Sequence, residues 1–240
     1  MKKQRMKIRN YNILLVLLLL LMGTACSTTR NLPEGEVLYT GIKDIHINRN
    51  DQSPMGEKAL AEVEAAISIA PNNSFFGSAK KRIPFPFGLW IYNSFKRYEK
   101  GLGKWIFKKL AAEPDTRVKV ASNLLHDYGY FNGNVTYQVD STKNPRAIKL
   151  TYHVNMGQPY YLDSIRYQGF SPRADSMIQA TYKERIIKPG DHFDVTKLNE
   201  ERQRLVDLFR NNGYYYYRTD FITFLADTLM HPGYVNLKIL

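Results

Sequence analysis

The chain has 240 residues, a formal net charge of +12, 44% hydrophobic residues and one cysteine. That apolar content supports a packed core and excludes a disordered polyelectrolyte. A single cysteine excludes an intrachain disulfide framework, so the fold must rest on its own packing.

Residues 1–10 carry Lys2, Lys3, Arg5, Lys7 and Arg9 with no acid, and an unbroken apolar run extends from Ile13 to Met22. Ten helical residues rise about 15 Å, half of the roughly 30 Å of bilayer hydrocarbon, which is short for a membrane span. A basic start, a short apolar stretch and the small residues Gly23, Thr24 and Ala25 mark residues 1–25 as a signal peptide. Cys26 comes next. The stretch resembles a lipobox, with Gly23 where that motif prefers Leu. The resemblance implies cleavage before Cys26 and a palmitate-bearing lipid on its sulfur. Residues 26–35 are then a lipid-anchored linker, and the mature chain faces the periplasm. Ser27-Thr28-Thr29-Arg30 lacks the Asp/Glu-rich tag of surface-exported lipoproteins, which implies an inward-facing anchor in the outer membrane.

The remaining residues contain an internal repeat. Ser122-Asn-Leu-Leu-His-Asp-Tyr-Gly-Tyr-Phe131 and Asp207-Leu-Phe-Arg-Asn-Asn-Gly-Tyr-Tyr215 share a helical apolar pattern running into Gly-Tyr-aromatic, with Gly129 and Gly213 in register. Two β-α-α-β-β domains follow from it, residues 36–158 and 159–240, the second stopping at Leu240 inside or at the end of its last strand. In the first, residues 37–48 alternate as a strand with Ile45 and Ile47 on one face. Ser53-Pro54 opens a helix with Leu60, Val63 and Ile67 on one side. Pro114-Asp115 opens a second, with Val118, Ala121, Leu125 and Tyr128 at helical spacing. Residues 134–139 and 147–154 pair as a hairpin. Between the helices lies an insertion, residues 71–112, that the second domain lacks.

The second domain begins with a strand over residues 160–167. Ser171-Pro172 opens a helix expected to turn Met177, Ile178 and Tyr182 inward. Lys188-Pro189-Gly190-Asp191 is a turn. Asp194 caps a longer helix carrying Leu198, Leu205, Leu208 and Phe209, which ends at Asn211-Asn212-Gly213. Residues 214–224 are expected as a strand, because tyrosine favours strands, and residues 235–240 as another.

Gly190-x-x-Phe193-Asp194, then Leu198, Leu205 and Phe209, then Gly213-Tyr214, resembles the signature of a POTRA (polypeptide-transport-associated) domain. Two such units behind a lipobox, with Arg82-Ile-Pro-Phe-Pro-Phe-Gly-Leu-Trp-Ile-Tyr-Asn93 in the first, resemble the lipidated TamA-like, Bacteroidetes-type branch of the BamA/TamA outer-membrane assembly family. The first unit departs from the signature, having Glu113-Pro114 where Gly-x-x-Phe is expected. The resemblance implies an α+β fold of two tandem POTRA-like domains; the family continues into further POTRA domains and a C-terminal barrel, and no barrel is expected within this chain. It implies no enzymatic activity and no cofactor. It also implies binding of unfolded outer-membrane proteins or partner subunits by β-augmentation, the addition of a client strand to a sheet edge. The strands so implicated are residues 134–140, with Val135, Tyr137 and Val139, and residues 214–224, with Tyr215, Tyr217 and Thr219. A lipoprotein adaptor that docks another envelope complex without handling clients is the alternative.

Nothing in the sequence competes with a non-enzymatic reading. The histidines His46, His126, His153, His192 and His231 lack metal-motif spacing, so no metal site is expected. Asp191-His192 is read as turn and cap chemistry rather than an acid–base pair. The insertion combines basic and aromatic residues, including Lys80, Lys81, Arg82, Trp90, Trp105, Lys108 and Lys109. Such a mixture suits single-stranded nucleic acid, a partner that export excludes. It also suits the headgroup zone of a membrane, and packing onto the first domain accounts for it as well.

Overall fold

A computed structural model describes residues 37–68 and 113–240. Cys26, the linker and the whole insertion, with Lys80, Lys81, Arg82, Trp90, Trp105, Lys108 and Lys109, lie outside the described residues. By compactness, residues 37–41 and 140–149 group in one unit, and residues 42–68, 113–139 and 150–240 in a second.

The architecture is mixed α+β, with the same order of elements twice. The first copy runs β1 (Leu38–Asn48), α1 (Pro54–Ile67), α2 (Pro114–Asp127), β2 (Asn134–Ser141) and β3 (Ala147–Asn155). The second runs β4 (Tyr161–Tyr167), α3 (Pro172–Ala180), α4 (Val195–Asn211), β5 (Phe224–Asp227) and β6 (Tyr234–Ile239). Each copy forms a three-stranded sheet with its last strand in the middle, in the orders β1-β3-β2 and β4-β6-β5. In the second sheet β4 runs parallel to β6 and β5 antiparallel to it. The first has the same sense: the Leu38 N–H donates to Arg146 O (2.8 Å) and the Met156 N–H to Asn48 O (3.0 Å), so β1 and β3 advance together. Among the described residues no helix is long and apolar enough to cross a membrane.

Local chemistry explains where the helices begin and end. Ser53 and Ser171 sit at the N-caps of α1 and α3, accept from the Gly56 and Ala174 N–H groups, and precede proline at the first helical position. Asp194 caps α4 through the Thr196 N–H. By contrast α2 starts from Glu113 at φ 40° with no side-chain cap, at the position where the first copy departs from the Gly-x-x-Phe turn. Both long helices stop in the same way. Gly129 (φ 77°) and Gly213 (φ 98°) leave the helix, and the next amides, of Tyr130 and Tyr214, reach back to Leu125 O and Phe209 O at 2.9 and 3.0 Å.

The cores follow the helical faces with small shifts. Val63 and Ile67 of α1 and Ala121 and Leu125 of α2 are fully buried, with Leu150, Tyr152 and Val154 of β3. Leu60 and Val118 are only half-buried, while Gly56 and Ala59 join Val63 and Ile67 on the buried face of α1. In the second copy Ile178, Leu198, Leu205, Val206 and Phe209 pack with Leu162, Val235, Leu237 and Ile239.

Two expectations are corrected. Tyr182 does not turn inward. α3 ends at Ala180, a short 3-10 turn follows (Tyr182–Glu184), and Tyr182 lies exposed with the Arg185 guanidinium 4.2 Å over its ring. The strand expected over residues 214–224 is largely absent, because the chain makes turns and a second 3-10 segment (Thr219–Phe221) before β5 begins at Phe224. Tyr215, Tyr217 and Thr219 are therefore not strand residues. Beyond Gly213 the Tyr217 N–H donates to Tyr214 O (3.0 Å), and Arg210 Nε donates to Tyr217 O (2.8 Å). This turn folds the Tyr214 and Tyr217 rings back on Phe209, with centroids 5.8 and 4.6 Å away. Tyr215 and Tyr216 are left 76% and 91% exposed. Packing on Phe209 imposes a spacing of three, where a strand would alternate by two.

Candidate functional site

With the last strand of each copy in the middle, β1 and β2 are the edges of the first sheet and β4 and β5 those of the second, among the described residues. An edge strand presents backbone N–H and C=O groups to whatever can pair with them. The β4, β5 and β2 edges differ in how far that capacity is already used.

The β4 edge is partly covered by the turn that follows α3. Leu162 N–H donates to Asp191 O (2.8 Å), Gly190 N–H to Leu162 O (2.7 Å), and Phe193 N–H to Tyr160 O (2.9 Å). At four residues, β5 is short, and short edge strands pair poorly. β2 is eight residues long, and its register can be worked out. Thr142 N–H bonds to Ala147 O (3.2 Å) at the hairpin end. Antiparallel alternation then turns the amides of Thr136 and Gln138 toward β3 and those of Val135, Tyr137 and Val139 away from it. The Val135 amide confirms that phase, since it donates to Ser122 Oγ of α2 at 3.0 Å.

The three residues singled out on β2 therefore divide. Val135 is 5% exposed and its amide is occupied by Ser122. Tyr137 and Val139 direct their backbone groups to the open side. The Tyr137 hydroxyl donates to Asp115 at the start of α2 (2.9 Å), and Val139 is 50% exposed. Ser122 stands in the repeat motif, but its role in closing off one end of the edge was not legible from sequence. Helix phase alone does not say that position 122 faces a strand amide.

A second feature joins the copies. Tyr160 N–H donates to Gly129 O (3.0 Å), and His192 Nε2 lies 2.7 Å from Tyr128 O. The Phe131 ring meets Phe193 at 4.9 Å and Tyr160 at 5.2 Å, both edge-on. A Cβ added at Gly129 would stand 2.8 Å from Phe193 O. The Gly190-x-x-Phe193 turn thus docks on the helix end of the preceding copy. His192 is a hydrogen-bonded part of that joint, and Asp191 serves the turn by accepting from the Lys188 N–H.

Two polar clusters brace the copies. Asp51 accepts from the Tyr130 hydroxyl (2.6 Å) and from the Ser53 amide and hydroxyl (2.8 and 2.9 Å). Burial opposes its ionisation, but these hydrogen bonds outweigh burial and hold its carboxyl below the ordinary value. Tyr130 is pushed upward by burial and by Asp51. Glu201, fully buried on α4, takes two bonds from Arg204 (2.6 and 2.9 Å), one from the Tyr167 hydroxyl (2.9 Å) and one from the Ile186 amide (2.9 Å). Its signal was a glutamate three residues after Leu198, on the apolar face. Both clusters are fully engaged in structural bonds. Among the described residues no three His, Cys, Asp or Glu side chains converge as a ready metal cage.

No family model matches the chain, and no curated protein matches it. Solved structures similar to it include BamA from Haemophilus ducreyi lacking POTRA domains 1–3, at 12% identity and a TM-score of 0.42, covering 85% of this chain and 28% of that one. The chain thus spans little more than a quarter of that protein's length. POTRA1–2 of the periplasmic domain of Omp85 from Anabaena gives 15% identity and a TM-score of 0.36, covering 85% of this chain and 94% of that one. POTRA3–5 of BamA from Haemophilus influenzae gives 12% identity and a TM-score of 0.35, with 87% and 98% covered.

Proposed function

We propose that this chain is the periplasmic, POTRA-type portion of an outer-membrane protein assembly or translocation factor. It is held to the outer membrane by a lipid on Cys26 and works without a catalytic residue. The observation that carries the reading is the long β2 edge with the outward backbone groups of Tyr137 and Val139. It is supported by the twice-repeated β-α-α-β-β order and by the Gly190-x-x-Phe193-Asp194 turn.

The clients are unfolded outer-membrane proteins, with other envelope assembly subunits as further partners. Main-chain pairing suits such clients because it ignores their side-chain sequence. Residues 36–158 and 159–240 act as two domains in this scheme. The basic and aromatic residues of the insertion (Lys80, Lys81, Arg82, Trp90, Trp105, Lys108, Lys109) contact anionic lipid, and the Cys26 tether keeps them close to it.

The test uses the full chain in detergent and a labelled peptide copied from a β-barrel strand with alternating apolar residues. Val139→Pro deletes one outward amide and leaves the bonds to β3 intact. Peptide affinity is expected to fall about tenfold, the effect of losing one buried hydrogen bond. Thr219→Pro, outside any strand, is expected to leave it unchanged. Absence of peptide binding, or equal binding by the Val139→Pro chain, would overturn client handling and favour the pure adaptor. Growth with labelled palmitate checks the anchor separately, since Cys26→Ser should lose the label.

A further inference from the structure

We propose that the outer face of the second sheet docks an acidic protein segment, with Arg166 and Lys238 holding its carboxylates and Tyr161 and Tyr234 receiving an apolar side chain. Leu162 of β4 and Val235, Leu237 and Ile239 of β6 are buried against α3 and α4, so the residues alternating with them point the other way. Register groups that outer face into three rows. Tyr161 stands beside Tyr234, Ser164 beside Asn236 and Asp227, and Arg166 beside Lys238 and Leu225.

The basic row is unbalanced. Neighbouring strands lie about 4.8 Å apart, so Arg166 and Lys238 repel each other, and side-by-side like charges on a sheet oppose folding. No acid shares their row, whose third place is Leu225, 49% exposed. Both cations are exposed, and among the described residues neither enters an ion pair. The acid one row away, Asp227, accepts from the Leu229 N–H (3.0 Å). Asp163, at the bulge in β4, meets His231 at 3.2 Å. A carboxylate brought from outside is what the row lacks. At the other end of the face Tyr161 and Tyr234 are 38% and 46% exposed. Four strand residues separate Tyr234 from Lys238, about 13 Å. Tyrosine and arginine are the side chains that most often anchor protein interfaces.

The middle row decides the kind of partner. A flat anionic lipid surface would press phosphates on Asp227 as well as on the cations, and that repulsion would offset the gain. A peptide places its acids over Arg166 and Lys238 alone, with neutral residues over Ser164, Asn236 and Asp227. A second copy of the chain is repelled, since each carries a net charge of +12. This face belongs to the other sheet from β2, so the inference stands apart from client pairing at that edge.

The experiment uses the full chain in non-ionic detergent and a fluorescein-labelled peptide of about ten residues, with leucine and phenylalanine near one end and two glutamates about 13 Å along the extended chain. Anisotropy should show saturable binding at low salt. Arg166→Gln/Lys238→Gln should weaken it about tenfold or more, as should replacing the peptide's glutamates by glutamine. Raising the ionic strength to about 0.5 M should weaken it likewise. Tyr234→Ser should weaken it several-fold, whereas Lys183→Gln/Lys188→Gln, elsewhere in the same copy, should not. The melting temperature of Arg166→Gln/Lys238→Gln should equal or exceed that of the parent, because a repulsion is removed, so that lost binding is not unfolding. Absence of binding at low salt, or equal affinity in the double variant, would overturn the proposal. So would displacement of the peptide by phosphatidylglycerol mixed into the micelles, which assigns the face to lipid, or a loss of binding in Val139→Pro, which places the peptide on β2.

Discussion

Gly129 and Gly213 hold the same place in the two copies, yet alanine should cost much more at the first. Both glycines have positive φ, 77° and 98°, and the strain of placing an L-residue there is about 1–2 kcal/mol at either site. Their surroundings differ. A Cβ at Gly213 meets nothing within 4 Å, whereas one at Gly129 would stand 2.8 Å from Phe193 O and 3.0 Å from Phe193 Cβ. Neither contact can yield by a side-chain rotation, because one atom is backbone and the other is the root of the side chain. Forcing an extra methyl into a packed place costs a further 1–3 kcal/mol or so. Gly129→Ala should therefore destabilise by about 2–5 kcal/mol and Gly213→Ala by about 1–2. Urea unfolding followed by far-ultraviolet circular dichroism gives both values, and hydrogen exchange at the Tyr160 amide, which donates to Gly129 O, localises the damage. Equal losses at the two positions would refute the idea that Phe193 is wedged against the preceding helix end.

Three other expectations follow from the same geometry. Glu201→Ala strands the Arg204 guanidinium and the Ile186 amide in the interior, and calorimetry of the full chain should register a loss of about 3–5 kcal/mol. The depressed Asp51 carboxyl stabilises the fold fully above the unfolded carboxylate value of about 3.9. That contribution disappears as pH falls through the lower folded value, so Asp51→Asn should flatten the acid limb of a stability–pH curve. Tyr217→Ala should cost about 2 kcal/mol, less than a fully buried aromatic would. Tyr216→Ala should change stability by less than about 0.5 kcal/mol, and equal effects would restore the alternating strand.

What was legible in the sequence is what neighbouring residues decide among themselves. The Ser53-Pro54 and Ser171-Pro172 starts, the Asp194 cap and the Gly129 and Gly213 stops all act through bonds spanning a few residues. The order of elements and the internal repeat could therefore be read directly, and the α+β class with them. Strand order is a long-range matter. That β3 and β6 occupy the sheet centres, leaving β2 at an edge among the described residues, depends on pairings across many residues, and only the tertiary structure decides them. The same holds for the tyrosine run after Gly213. Strand propensity argued for alternation, but the Phe209 surface, supplied by another turn of chain, drew Tyr214 and Tyr217 to one side and overrode a weak local preference. Ser122 on the Val135 amide and Glu201 under the Tyr167 hydroxyl and the Ile186 amide are likewise meetings between elements. A side chain's type is written in the sequence, but its partner is chosen by the packing that brings distant segments together.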